Sequence, residues 1–357
     1  MVKNKTNVIV IIIVFLSYFA VACGTKEAGS ANQAGLSNEL NVFNWSNYLP
    51  ASIIEKFEKE YNVKVNYSTY SSNEEMLAKL MTGGNAYDIT VATGYTVDLM
   101  RKQKLIASLD KNNIPNIKNI GPEYLNQDFD PENTLSLPYM AGTFVIAVDT
   151  SKVMAPIEKY EDLWRAELNN SLVVPDDGRA MIGISNKIQG KSLNETDPAV
   201  LTKSKELLIK LLPNIKAYDS DSPKTLFLNG EVKAGLVYSS EAFLAMQSKP
   251  TIKTIFPKEG MILWMDNFVI PKDAPHKKTA EVFINFLLRP EISAEISKEI
   301  PYTNPNMEAR KLIDKSILSS PVNYPSKESL EQGEYAKDIG DSIREYDRIW
   351  NDVKQSQ

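Results

Sequence analysis

Cysteine and histidine are almost missing: the 357-residue chain contains one of each. A single cysteine closes no internal disulfide, and the pair cannot build a Cys/His zinc site or leave much room for cysteine-protease chemistry. An excess of positive charge is also lacking. Forty basic residues against 45 acidic ones leave a formal net charge of −5, which argues against a general nucleic-acid binder. Neither a G-x-x-x-x-G-K-[ST] phosphate loop nor a G-x-S-x-G nucleophile elbow occurs. The one histidine lies in Asp273-Ala274-Pro275-His276-Lys277, ahead of a helix, and reads as a solvated loop residue; any Ser-His-Asp triad would depend on it. Paired acids are too numerous to single out a glycosidase. The chain does have material for a core, at 43% hydrophobic residues, and its length points to two domains or one large one.

The N-terminus has the pattern of a targeting segment. Lys3 and Lys5 precede the apolar run from Val8 to Ala22, which is short for a transmembrane helix. The run ends in Ala20-Val21-Ala22-Cys23-Gly24, small residues before the lone cysteine. This resembles the lipobox of bacterial lipoproteins, in which the cysteine thiol is lipidated and becomes the new N-terminus. Ala20 departs from the bulkier aliphatic residue usual at its position. Residues 1–22 are therefore expected to be a lipoprotein signal peptide, Cys23 the lipid anchor, and residues 23–39, rich in Gly, Ala, Ser, Asn and Gln, a flexible tether. Removal of residues 1–22 takes away Lys3 and Lys5 and no acid, so the mature chain is more acidic still.

From Leu40 onward, strand-like and helix-like segments alternate. Leu40–Trp45 reads as a buried strand, and Pro50 suits the first position of a helix whose apolar face holds Ile53, Ile54, Phe57 and Tyr61. A strand through Val63, Val65 and Tyr67 follows, then a helix over Asn73–Met81 stopped by Gly83-Gly84, then a strand over Ile89–Ala92. The rhythm returns in the strands Leu172–Val174, Ala217-Tyr218 and Ala234–Tyr238 and the helices Leu201–Leu212 and Lys277–Leu288. A terminal helix is expected over Glu328–Trp350, interrupted near Gly333 or Gly340. Strands separated by helices of this length predict βαβ units and a parallel-rich sheet. The extended segments Thr143–Val148 and Met261–Ile270 are candidate crossings between two α/β lobes, with a ligand cleft between them.

Aromatic residues stand beside short polar ones where strands are expected to end. Phe43-Asn44-Trp45-Ser46-Asn47-Tyr48 precedes a helix start, and Val91-Ala92-Thr93-Gly94-Tyr95 closes a strand. Trp264 and Asp266, two residues apart, fall on the same side of a strand. In open α/β sheets ligands bind beyond the carboxyl ends of strands. Aromatic faces with carboxylates suit an organic cation, through cation–π attraction and charge-assisted hydrogen bonds. A sugar site also uses aromatics, so the pattern alone leaves polyamine and carbohydrate both open.

The segment Phe43–Pro50 resembles the opening motif of the bacterial spermidine/putrescine-binding proteins of ABC importers. So do Tyr67-Ser68-Thr69-Tyr70, Ala86-Tyr87-Asp88, Phe129-Asp130-Pro131 and Trp264-Met265-Asp266. Asn285-Phe286-Leu287-Leu288-Arg289-Pro290, Pro305-Asn306 and Ala309-Arg310-Lys311-Leu312 extend the likeness over nearly the whole chain from about residue 40. The resemblance implies an α/β, two-lobe periplasmic-binding-protein fold of type II, each lobe a mixed sheet flanked by helices, with two hinge crossings and a central cleft. One lobe would comprise residues 40–142 plus 265–309, the other 143–264 plus 310–357. The implied function is non-catalytic: polyamine binding in the cleft, without cofactor, metal or nucleic acid, and delivery to the importer's permease by a lipid-anchored monomer on the periplasmic side of the cell membrane.

Matching positions carry over residue by residue. Trp45, Tyr95, Trp264 and Tyr302 align with family aromatics along the alkyl chain, and Tyr48 matches directly. Ser46, Thr93 and Ser220 align with short polar groups near an amine, and Asp177 and Asp266 with amine-binding carboxylates. Tyr238 replaces a tryptophan of the spermidine-selective member. Three positions depart from the pattern: Ala180 replaces a ligand-binding Glu, Ala336 a Gln-type residue, and Asn47 an acid. Glu241, three residues after Tyr238, stands where the putrescine-selective relative carries an Asp ligand, and is a candidate to restore the missing charge. The choice between spermidine and putrescine stays open on these residues. Other expectations for the same fold are a different small ligand such as iron, thiamine or a sugar, or a surface adhesin that has lost the pocket.

Overall fold

The computed structural model describes residues 35–83 and 86–356. The expected signal peptide, most of the tether, Cys23 and Gly84 lie outside the described residues. The tether is shorter than its expected end at residue 39: Leu36 is buried in the core, the Ser37 amide donates to Thr279 Oγ1 at 2.9 Å, and the first strand opens at Glu39. An apolar side chain ahead of the strand is enough to draw the chain onto the body.

Among the described residues ten strands form one curled sheet. They are β1 (Glu39–Trp45), β2 (Lys64–Tyr70), β3 (Ile89–Thr93), β4 (Ser136–Asp149), β5 (Leu172–Val174), β6 (Ile215–Tyr218), β7 (Ala234–Tyr238), β8 (Ile252–Ile255), β9 (Ile262–Val269) and β10 (Glu334–Tyr335). Their order is β2-β1-β3-β9-β4-β7-β5-β6, with β8 added to β4 and β10 to β9. Two parallel triplets, β2-β1-β3 and β7-β5-β6, are joined through the antiparallel pair β4 and β9. The parallel triplets follow from the βαβ rhythm, since parallel neighbours need a crossover between them.

The strand β4 changes partner along its length. Ser136–Thr143 pairs with β9, whereas Phe144–Val148 pairs with β7 and Ile146–Asp149 with β8. At the changeover Thr143 Oγ1 donates to the Ile262 carbonyl at 2.9 Å. Every residue of β9 is buried, as is nearly every residue of β4. The molecule is thus a two-lobe α/β fold in which β4 pairs in both halves and β9 joins it to the β2-β1-β3 half.

Helices cover the sheet. α1 (Ala51–Tyr61) buries Ile53 and Phe57 against α8 (Lys277–Leu287), where Phe57 meets Phe283 and Phe286 edge to face at 4.7 and 5.4 Å. Pro50 proves to be the N-cap of α1 rather than its first helical residue, with an extended ψ of 139°. α2 (Asn73–Gly83) and α3 (Gly94–Lys102) complete this side. The far half carries α4 (Gly178–Ile188), α5 (Pro198–Leu211), α6 (Pro223–Leu228) and α7 (Ser239–Ser248), with α9 (Pro290–Glu299) after α8. The expected terminal helix is broken at both glycines: a short helix ends at Glu331, β10 follows, and the C-terminal helix runs from Ile343 to Gln355. Gly333 lies so close to Leu263 that a Cβ would meet its side chain at 2.7 Å, and Gly340 has φ of 58°; neither position suits a continuous helix of larger residues.

His276 is not the solvated loop residue expected. Its amide and Nδ1 both engage the fully buried Asp88, at 2.7 and 3.0 Å, and Asp88 also accepts the Asn41 amide at 2.7 Å. The pair ties the loop before α8 to β1. Asp130 plays a similar part before β4, accepting the amides of Thr134, Leu135 and Ser136 within 3.1 Å. Among the described residues no helix is long and apolar enough to cross a membrane.

Gly142 sits near the changeover of β4, under Trp264, where a Cβ would lie 2.4 Å from the indole Cζ2. The ring is packed and cannot yield as a flexible tip would. Gly142→Ala is expected to cost about 1–3 kcal/mol through overpacking and to shift the tryptophan emission; an unchanged melting temperature in a thermal scan would refute this placement.

Candidate functional site

The carboxyl ends of the strands from both halves open into one cleft. A cavity of about 520 Å³ is lined by Trp45, Ser46, Tyr48, Thr93, Tyr95, Asp177, Ser220, Tyr238, Glu241, Trp264, Asp266 and Tyr302, so the structure brings every candidate binding residue named from the sequence to one place. The three departures from the family pattern, Asn47, Ala180 and Ala336, line it as well. The cleft continues into a second compartment of about 560 Å³ that shares Trp45, Asn73, Tyr95, Asp177, Arg179 and Tyr238 with the first.

Local structure accounts for most of these positions. Trp45 ends β1, and the chain then turns through Asn47 at φ of 51°, a left-handed conformation that asparagine tolerates better than an acid of greater length. The turn delivers Ser46 and Tyr48 to the cleft. Thr93 ends β3 and Tyr95 is the second residue of α3. The buried Asn73, at the start of α2, donates to Tyr95 Oη at 2.9 Å and to Thr93 Oγ1 at 3.2 Å, which locks both. Tyr238 ends β7, Glu241 lies in the first turn of α7, and Asp177 is the N-cap of α4, its Oδ1 accepting the Ala180 amide at 2.9 Å. Alternation along β9 puts Trp264 and Asp266 on the same face, as their spacing predicts.

The aromatic wall is a set of edge-to-face rings. Trp264 meets Tyr302 at 4.8 Å and 83° and Tyr238 at 5.9 Å and 87°, while Tyr302 meets Tyr48 at 5.9 Å. Such contacts fix ring orientation and leave faces free for a ligand. The indole N–H groups of Trp45 and Trp264 are buried and find no acceptor among the described residues.

Asp266 is the electrostatic centre. It is 6% exposed, and its carboxylate accepts from Thr93 Oγ1 at 2.8 Å and from Tyr48 Oη at 3.0 Å. Burial pushes its pKa up to about 6, against the two hydrogen bonds, and no cation among the described residues offsets it. Burial, and then the Asp266 charge, hold the Tyr48 phenol well above its ordinary pKa, so it remains a donor. Asp177 is likewise raised by burial, with the Ala180 amide and the Arg179 charge pulling the other way.

Two cations were missed in the sequence. Arg179, two residues after Asp177, is buried; it donates to Asn194 Oδ1 and the Lys337 carbonyl, both at 2.9 Å, and lies over the rings of Tyr95 and Tyr346. Lys224, in the first turn of α6, donates to Glu241 Oε1 at 2.8 Å. Their positions just after strand ends, on helix N-termini, were the available signal.

Comparison with known proteins follows the same line. Residues 52–321 match the family described as bacterial extracellular solute-binding protein. The chain belongs to that family. It is 39% identical to the spermidine/putrescine-binding periplasmic protein of Salmonella typhimurium, over 94% of this chain and 97% of that one. Among solved structures it is similar to a Listeria monocytogenes protein assigned to spermidine/putrescine ABC transport, with a TM-score of 0.88 at 33% identity, covering 90% of this chain and 100% of that one. A lipoprotein of Treponema pallidum superposes with a TM-score of 0.78 at 29% identity, covering 88% of this chain and 99% of the other. The family's two-lobe fold and the motif resemblance therefore extend over nearly all of the described chain.

The Asp266 shift has a definite sign. Folding raises this acid above its ordinary 3.8, so the folded protein binds a proton that the unfolded chain has already released. Its contribution to stability is therefore greatest at low pH and is lost as pH rises through about 6. In ligand-free protein, the stability difference between wild type and Asp266→Asn should change by about 1 kcal/mol between pH 5 and 7, in the direction that disfavours wild type at pH 7. Parallel urea titrations at the two pH values with an unchanged difference would remove the assignment.

Proposed function

We propose that the protein binds a polyamine of the spermidine/putrescine class in the interlobe cleft and delivers it to an ABC-type importer, with no bond made or broken. The observation that carries this reading is Asp266: a carboxylate buried among aromatic rings, hydrogen-bonded by two hydroxyls and lacking any counter-cation among the described residues. A ligand ammonium supplies that counter-charge. It converts a costly buried anion into a charge-assisted hydrogen-bonded pair, and the rings of Trp264, Tyr302 and Tyr238 receive the methylenes beside it.

The remaining roles follow from position. Trp45, Tyr95 and Tyr48 wall the alkyl chain. Thr93 and Tyr48 orient Asp266, Ser46 presents a hydroxyl at the mouth, and Ser220 holds the opposite loop by accepting the Asp176 amide at 3.0 Å. Asp177 is the second acid for an amine, from the far lobe. A cation touching both Asp266 and Asp177 bridges the lobes, taken as residues 40–142 with 265–309 and 143–264 with 310–357. Bridging favours the closed state by the difference in affinity between the two states, and the closed, loaded form is what a permease recognises. The family relationship supports an extracytoplasmic location. The basic, apolar and small-residue order ending at Cys23 supports a lipid anchor, and a single chain carries the complete cleft, which supports a monomer.

Thermal melts beside putrescine, cadaverine, spermidine and spermine should give a concentration-dependent rise with at least one, because a ligand bound by the folded state alone stabilises it by mass action. Asp266→Ala is expected to weaken that binding by at least about 2 kcal/mol, the scale for breaking a buried charge pair; calorimetry with unchanged affinity would sink the site. For the anchor, Cys23→Ser is expected to move the protein from the membrane fraction to the soluble one and to abolish incorporation of labelled fatty acid. A variant that stays in the membrane fraction would refute lipidation at Cys23.

A further inference from the structure

The cleft contains an ion pair of the chain's own. Lys224 follows Pro223 in the first turn of α6, and Glu241 occupies the first turn of α7. Both line the cavity, and Lys224 Nζ lies 2.8 Å from Glu241 Oε1. Glu241 is 9% exposed, whereas the lysine side chain keeps 32% of its surface, so the acid is part of the wall and the base reaches it from the rim. The other glutamate oxygen, Oε2, is buried and accepts nothing from the described residues. Burial holds the Glu241 pKa up, and Lys224 is the group that pulls it down.

An ammonium on a flexible four-carbon stem is chemically what a polyamine end presents. Lys224 therefore stands where a ligand's own ammonium would stand at Glu241. A third ligand ammonium arriving there would either meet a like charge or have to displace the lysine from a partly desolvated partner, and both disfavour it. No comparable protein cation is ion-paired with Asp266 or Asp177 among the described residues: Asp266 is held by hydroxyls, and Arg179, beside Asp177, directs its hydrogen bonds to Asn194 and the Lys337 carbonyl.

We infer that Lys224 is a specificity-determining residue: by neutralising Glu241 it leaves Asp177 and Asp266 as the acids open to a ligand inside the cavity, whose other lining acids, Asp221 and Glu299, are exposed to solvent, and so selects a diamine over a triamine. The inference rests on the reading of the cleft as a polyamine site. It also reverses the expectation that Glu241 restores a missing acid for the ligand, because the chain itself supplies that acid's cation.

Isothermal titration of the full-length protein with putrescine and with spermidine tests it in three variants. Wild type is expected to bind putrescine at least tenfold more tightly than spermidine. Lys224→Gln, which frees Glu241, should move that ratio toward spermidine by tenfold or more. The double variant Lys224→Gln/Glu241→Gln, neutral at that wall and free of an unpaired buried acid, should return the ratio to the wild-type side. Preference for spermidine in wild type, or one ratio across all three proteins, overturns the role of Lys224 while leaving a polyamine site in place. Failure of wild type to bind either compound overturns the polyamine reading, and the inference falls with it.

Discussion

The antiparallel pairing of β4 and β9 is the constraint on which the rest of the molecule is arranged. Each strand is buried along nearly its full length; β9 pairs with β3 on one side, and β4 carries the sheet on to β7. Two parallel triplets, each with its own helices, would otherwise be independent bodies. Joined through this pair, their carboxyl ends face each other across a shared floor. The cleft is therefore a product of topology before any side chain is chosen, and β9 places Trp264 and Asp266 on that floor.

The distribution of charge gives the cleft its character. The surface pairs, such as Arg348 with Glu345 and Asp352, are exposed and contribute little to stability. Inside, each acid is treated differently. Asp88 and Asp130 are saturated by amides and serve the fold. Glu241 has an internal lysine. Asp177 has a helix amide and a neighbouring guanidinium. Asp266 has two hydroxyls, which orient a carboxylate but do not neutralise it. The least compensated acid lies deepest among aromatic rings, an arrangement unfavourable for the empty protein and favourable for one holding a cation.

Much of this was legible in the sequence for local reasons. The strand ends at Trp45, Thr93 and Tyr238, and the i, i+2 spacing of Trp264 and Asp266, follow from periodicity, and the motif resemblance extended them to Asp177, Ser220 and Tyr302. What stayed hidden depends on contacts distant in sequence or on backbone conformation. His276 finds Asp88 from 188 residues away, and Lys224 reaches Glu241 only because α6 and α7 pack together. The break of the terminal helix depends on Leu263 filling the space above Gly333, which composition does not reveal. Leu36 looked like part of a flexible leader because its neighbours are small and polar, yet one apolar side chain decides where the body begins.

The contact between Gly142 and the Trp264 ring has a mechanical meaning. The indole that lines the cavity rests directly on the backbone of β4, the strand that pairs in both halves of the sheet. The ring cannot move toward β4 without displacing main chain, so the cavity wall is stiff at this point. Any widening of the cavity has to come from elsewhere in its lining.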